Sequence, residues 1–95
     1  MATVYIPAQL RDLTGDAEVL EVTIPQDEHL TVRAVLARLE ANHPGLEARL
    51  LEADGGLNPY LAVFIDGEQA GLGLSARVKD DQQVYFLTPV AGGNR

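Results

Sequence analysis

The sequence contains no cysteine, which excludes disulfides, zinc-thiolate sites and thiol nucleophiles. Ser75 is its only serine, and nothing nearby marks it as part of a Ser-His-Asp set. His29 and His43 stand alone, with no second histidine at helical or strand spacing. Each reads as a loop or helix-end residue, and no metal site is expected. Long hydrophobic runs are also missing. The longest is Leu61–Ile65, far short of the roughly 20 residues needed to cross a bilayer. No basic region followed by an apolar stretch opens the chain, so the expectation is a cytoplasmic protein without a signal peptide. Basic residues are few and scattered: 7 Lys and Arg against 14 Asp and Glu, a net charge of −7. Neither nucleic acid nor an anionic membrane surface is therefore an expected partner. The acidity fits docking on a basic patch of another protein. It fits a role in solubility alone equally well.

What is present points to one compact domain. The chain has 95 residues, 46% hydrophobic and 22% charged, which is ordinary for a small globular fold. Thr3–Pro7 alternates with Val4 and Ile6 on one face and Thr3 and Tyr5 on the other, the period of a half-buried strand. Gln9–Asp16 reads as a polar connection ending in Thr14-Gly15-Asp16 turn chemistry. Ala17–Ile24 reads as a second strand with Leu20, Val22 and Ile24 inward, forming a hairpin with the first. After a break at Pro25–His29, Thr31 is a natural N-cap. Val32, Val35, Leu36 and Leu39 then follow the spacing of an amphipathic helix. Asn42-His43-Pro44-Gly45 stops that helix, and Pro44 opens a short second one through Leu46, Leu50 and Leu51.

Leu61–Ile65 reads as a third strand, closed by Asp66-Gly67 as a tight hairpin turn. Glu68–Ala76 is expected to be irregular, with a short edge strand at most. Asp80-Asp81 marks a turn before a last strand, Gln83–Thr88, with Val84 and Phe86 inward. The expected fold is an α+β roll: a mixed sheet of four to five strands covered by one main helix. Residues 1–89 form the domain, and 90–95 form a flexible tail.

Chemistry-bearing patterns are sparse within that domain. Asp80-Asp81 and Asp27-Glu28 are adjacent acids in turns, which read as solvated pairs rather than catalytic carboxylates. Gly71-Leu72-Gly73 is half a phosphate loop without the following Lys-Ser/Thr. The domain offers no enzyme chemistry of its own.

The tail is more informative. A strand ending in Phe86-Leu87-Thr88-Pro89 leads directly into Val90-Ala91-Gly92-Gly93. With Val4-Tyr5-Ile6-Pro7, Leu10-Arg11, Thr14-Gly15 and Leu39-Glu40-Ala41-Asn42, this resembles the MoaD/ThiS family of ubiquitin-like β-grasp sulfur carriers, closest to the CysO type. The resemblance implies that Gly92 and Gly93 form the activated C-terminus. Gly93 would be adenylated and converted to a thiocarboxylate, the ATP being used by an activating enzyme and no cofactor being bound by this chain. Glycine suits a tail threaded into a narrow channel, having no side chain to clash there. Because sulfur would sit on the carbonyl carbon, the absence of cysteine is compatible with this chemistry. Asn94-Arg95 departs from the pattern, since a peptide bond at Gly93 leaves no carboxylate to activate. Removal of Asn94 and Arg95 is therefore expected, by resemblance through a JAMM-type zinc protease.

Phe64 lies between inward Val63 and Ile65 and should project from the outer sheet face near Tyr85 and Leu87. Such a cluster marks a contact surface, unless a loop or the Pro89 segment covers Phe64. The resemblance implies that Phe64, Tyr85, Leu87, Pro89, Val90 and Ala91 meet partner proteins. Those partners would be an E1-like adenylating and sulfur-transferring enzyme, and then an acceptor. A cysteine synthase-like acceptor is favoured, the large subunit of molybdopterin synthase comes second, and thiamine-type or tRNA-thiolation routes follow. A ubiquitin-like modifier joined to lysines of target proteins would use the same Gly-Gly tail. With Lys79 as the only lysine, self-linked chains would be restricted to Lys79 or the N-terminus. An inert binding module is the third reading.

Overall fold

A computed structural model of the protein describes residues 1–87. In chain order they form β1 (Ala2–Tyr5), a 3-10 segment (Ala8–Thr14), β2 (Val19–Val22), β3 (His29–Thr31), α1 (Val32–Asn42) and α2 (Leu46–Leu50). There follow β4 (Ala62–Ile65), β5 (Glu68–Gln69), a 3-10 turn (Gly73–Ser75), β6 (Arg77–Lys79) and β7 (Gln83–Leu87). Among these residues five strands make one mixed sheet in the order β2-β1-β7-β4-β5, and β3 pairs with β6 separately. β1 and β7 run parallel; the other pairs are antiparallel. The expected α+β β-grasp roll, a mixed sheet with one main helix, is the observed architecture. The domain-to-tail boundary at 89/90 lies outside the described residues.

Helix α1 forms where the apolar spacing places it. Thr31 caps it, its hydroxyl accepting the Ala34 amide at 3.1 Å, which satisfies one of the free N–H groups of the first turn. Val32, Val35, Leu36 and Leu39 are all buried against the inner sheet face, where Val4, Val63, Val84 and Phe86 meet them in one core. At its end Pro44 supplies no amide to continue the helix. Gly45 then turns the chain at φ +105°, a conformation that L side chains rarely adopt. The sequence pattern opens the second helix at Pro44; the structure opens it at Leu46, after that glycine turn. The amides of Gly45 and Glu47 donate to the Glu40 carboxylate at 3.0 and 2.9 Å, so a side chain of α1 caps α2. Asp66 and Gly67 both take positive φ, the requirement of the two-residue hairpin turn that joins β4 to β5.

Three expectations need correction. Gln9–Asp16 is not simply a polar connection: Ala8–Thr14 is a 3-10 segment that buries Leu10 and Thr14. Thr14 is satisfied there, its hydroxyl donating to the Ala17 carbonyl at 2.9 Å. The Pro25–His29 break ends in strand β3 rather than continuing to the helix, and His29 belongs to that strand. Its partner β6 occupies the stretch before Asp80-Asp81. The ribbon ties into the helix start, where the Val32 amide donates to the Ala76 carbonyl at 2.9 Å.

Candidate functional site

The outer face of the sheet carries the candidate site. Alternation along each strand turns Val4, Val84 and Val63 inward and leaves Tyr5, Tyr85 and Phe64 on the opposite face. The strand register then aligns them. Val19 pairs with Tyr5, Tyr5 with Tyr85, Tyr85 with Phe64 and Phe64 with Gln69, so one row crosses all five strands. The rings of Tyr5 and Tyr85 stack with centroids 4.1 Å apart and planes 5° from parallel. Leu87, 46% exposed, and Val19, 40% exposed, extend the apolar surface on either side. A shallow depression lined by Phe64, Asp66, Gly67, Gln83, Tyr85 and Leu87 lies beside the aromatic row.

Charge is arranged around this surface. Asp66 closes the end near the β4–β5 turn, accepting the Gln83 amide at 2.8 Å and the Gln82 side-chain amide at 3.2 Å. Glu21 lies beside Thr3 on the same outer face. At the opposite end Arg11 donates to the Ile6 carbonyl at 3.2 Å and pairs with Glu18 at 3.5 Å. Hydrogen bonding to the Tyr5 phenol, with burial adding to it, holds the Tyr85 hydroxyl above the ordinary phenol value. A flat apolar centre with charged margins is the anatomy of a protein-binding surface.

Of the site residues expected from sequence, Phe64, Tyr85 and Leu87 are brought together here. Pro89, Val90, Ala91, Gly92, Gly93, Asn94 and Arg95 lie outside the described residues. Tyr5 and Val19 join the face unannounced. The alternation of the first strand put Tyr5 outward, but only the non-local β1–β7 pairing brings it onto Tyr85. Among the described residues no group of three or more His, Asp or Glu side chains is placed to hold a metal ion. No helix among them is long and apolar enough to cross a membrane. Asp27 and Asp81 take positive φ in turns, so both acid pairs sit in turns as their sequence suggested.

Comparison with known proteins agrees with this geometry. The model of the ThiS family matches residues 4–93. The sulfur carrier protein CysO of Mycobacterium tuberculosis (strain ATCC 25618 / H37Rv) is 34% identical over 95 residues, spanning 96% of this chain and 97% of its own length. Small archaeal modifier protein 1 of Haloferax volcanii is 34% identical over 82 residues, 86% of this chain and 92% of that one. In the crystal structure of the BexX/CysO complex of Amycolatopsis orientalis, one chain matches with a TM-score of 0.81 and 33% identity. The match covers 98% of this chain and 100% of that one. Family match, near-full-length relatives and shared β-grasp architecture converge: the chain belongs to the ThiS family of ubiquitin-like sulfur carriers.

Proposed function

We propose that the protein carries sulfur as a C-terminal thiocarboxylate on Gly93, the globular domain supplying recognition and no catalysis of its own. The observation that carries this reading is the family match, which runs through Gly92-Gly93 in a fold whose outer face presents Phe64, Tyr5, Tyr85 and Leu87. Residues after Gly93, here Asn94-Arg95, are removed first by a JAMM-type zinc peptidase. The freed carboxylate then attacks the α-phosphorus of ATP held by an E1-like enzyme, and pyrophosphate leaves. Sulfide attacks the carbonyl carbon of the acyl-adenylate, the bond to AMP breaks, and a thiocarboxylate remains.

Recognition falls to the sheet face. Its aromatic row is rigid, because each member is fixed by two neighbouring strands, and rigid aromatic side chains lose little entropy on docking. The acceptor favoured for the sulfur is a cysteine synthase-like enzyme, supported by the near-full-length likeness to sulfur carrier protein CysO. The large subunit of molybdopterin synthase is the second candidate. A role as a protein modifier is a separate reading, supported by the likeness to small archaeal modifier protein 1. The two diverge after adenylation, where sulfide or a target lysine takes the acyl group.

The test is reconstitution of the chain ending at Gly93 with the host's adenylating enzyme, ATP and sulfide, followed by intact mass measurement. Conversion of the terminal carboxylate to a species with sulfur in place of oxygen is the expected result. Accumulation of adducts on lysines, resistant to reductant and to thiols, would favour the modifier instead. A chain that never exchanges pyrophosphate with ATP would overturn both.

A further inference from the structure

At the end of the sheet where β7 stops, a depression is lined by Pro7, Gln9, Arg49, Asn58, Tyr60 and Leu61, among others. Its position follows from the register. Ala62 pairs with Leu87, so Leu61 and Tyr60 lie at the edge where β7 ends. On the other side the parallel pairing of Tyr5 with Tyr85 brings Pro7 to the same edge. A neighbouring depression shares Pro7 and is lined by Tyr5, Arg11, Tyr85 and Leu87, which makes the surface continuous with the outer sheet face.

The sign of charge here is opposite to that of the molecule. The chain carries −7, and in the depression at the β3–β6 end three carboxylates, Asp27, Glu28 and Asp80, outnumber one ammonium, Lys79, beside His29. The sheet-face depression includes Asp66. Around Arg49 the lining has no carboxylate. Arg49 is exposed in the last turn of α2, and one of its Nη2 hydrogens is donated to the Gln9 carbonyl at 3.3 Å. That bond anchors the guanidinium beside the depression. Among the described residues Arg49 has no ion-pair partner, whereas Arg11 is already paired with Glu18. Tyr60 stands at the rim, 66% exposed, with its amide donating to the Asn58 side chain at 2.9 Å. One available guanidinium and one phenol suit a carboxylate, which an arginine holds through two parallel hydrogen bonds. Nucleic acid would need a run of cations instead.

We infer that this depression docks an acidic segment of the protein that takes up the chain's C-terminal residues, with Arg49 receiving a carboxylate and Tyr60 packing beside it. Partner recognition is then bipolar: acid-flanked along the sheet face and cationic at the end of β7. The inference rests on the activation reading given above, and its test separates the two.

Pyrophosphate exchange by the host's adenylating enzyme is measured with the chain ending at Gly93 as substrate, comparing wild type, Arg49→Glu, Tyr60→Ala and Arg33→Glu. Arg33 is an exposed helix arginine bound to the Gly55 carbonyl and serves as the charge control. Arg49→Glu is expected to raise KM about tenfold or more, the effect of one lost charge contact, while kcat is kept and Arg33→Glu behaves as wild type. Equal KM for Arg49→Glu and wild type overturns the inference while leaving the activation reading intact. An equal effect of Arg33→Glu also overturns it, since bulk charge then suffices. If wild type itself supports no exchange, the activation reading falls, and titration of the labelled full chain with a hexaglutamate peptide decides this one. Amide shifts confined to Gln9, Arg49, Asn58, Tyr60 and Leu61, and lost in Arg49→Glu, uphold the site. Shifts absent or spread over the surface overturn it, as does concentration-dependent dimerisation of wild type that Arg49→Glu abolishes, because the occupant is then a second copy.

Discussion

The phenol rings of Tyr5 and Tyr85 stack face to face across the parallel β1–β7 pair, with centroids 4.1 Å apart. Phe64 sits directly opposite Tyr85 on the next strand. These three rings form the rigid centre of the outer face, so truncating one should weaken docking more than truncating an isolated exposed apolar residue. Phe64→Ala and Tyr85→Ala are each expected to weaken binding to the adenylating enzyme about tenfold or more. Leu72→Ala, at a residue 74% exposed but outside the row, should leave binding unchanged. Calorimetric titration of folded variants checks this, with circular dichroism confirming that each is folded.

The same pair gives a titration signature. Hydrogen bonding to Tyr5, then burial, raises the Tyr85 hydroxyl above its ordinary value of 10.0. Ultraviolet titration should therefore show a phenol ionising above that value, and Tyr5→Phe should move it back down. A folded state that keeps its proton longer than the unfolded chain loses stability as pH rises. Wild type should accordingly destabilise as pH climbs past 10.0, and Tyr5→Phe should show less of that dependence.

Glu40 supplies a second pH-dependent contact at the other end of the range. Amide hydrogen bonds from Glu47 and then Gly45 lower its carboxyl below the ordinary value of 4.5. The depressed value means that the stabilisation is present above 4.5 and is lost as pH falls through the folded-state value. Glu40→Ala should lower the melting temperature by roughly a few degrees at neutral pH. The gap should close in acid, where the wild-type carboxylate is also protonated. A gap that stays constant down to strongly acidic pH would mean that the cap does not depend on charge.

Gly45 turns the chain between the two helices at φ +105°, and an added Cβ would lie 3.4 Å from the Leu13 side chain. Backbone strain dominates over crowding, because that contact is with the end of a flexible side chain. Gly45→Ala should cost about 1–2 kcal/mol by urea unfolding. Gly71→Ala, at a glycine with open space and no positive φ, should stay within roughly 0.5 kcal/mol of wild type.

The readable parts of the fold were those encoded by local periodicity. Val32, Val35, Leu36 and Leu39 mark α1 because their spacing repeats with the helix, and Asp66-Gly67 marks its hairpin because few other pairs tolerate two positive φ values. The β3–β6 ribbon left no such trace. Each strand has three residues, and the pairing of Leu30 with Val78 joins segments far apart in sequence. The 3-10 segment was hidden by its polar composition, although Leu10 and Thr14 turn inward from it. The same limit applied to the site. Phe64 beside Tyr85 follows from adjacent antiparallel strands, whereas the contribution of Tyr5 depends on β1 and β7 meeting in parallel. Arg49 carried no signal at all, since only the fold sets it beside Tyr60.

Intact mass of the protein purified from its own host, acid-quenched and without reductant, tests the central claim most directly. A carrier gives a species ending at Gly93, without Asn94-Arg95, in which a fraction bears sulfur in place of a terminal oxygen, and that fraction responds to sulfur supply. Full-length, unmodified protein alone, whether or not sulfur is limiting, would contradict it.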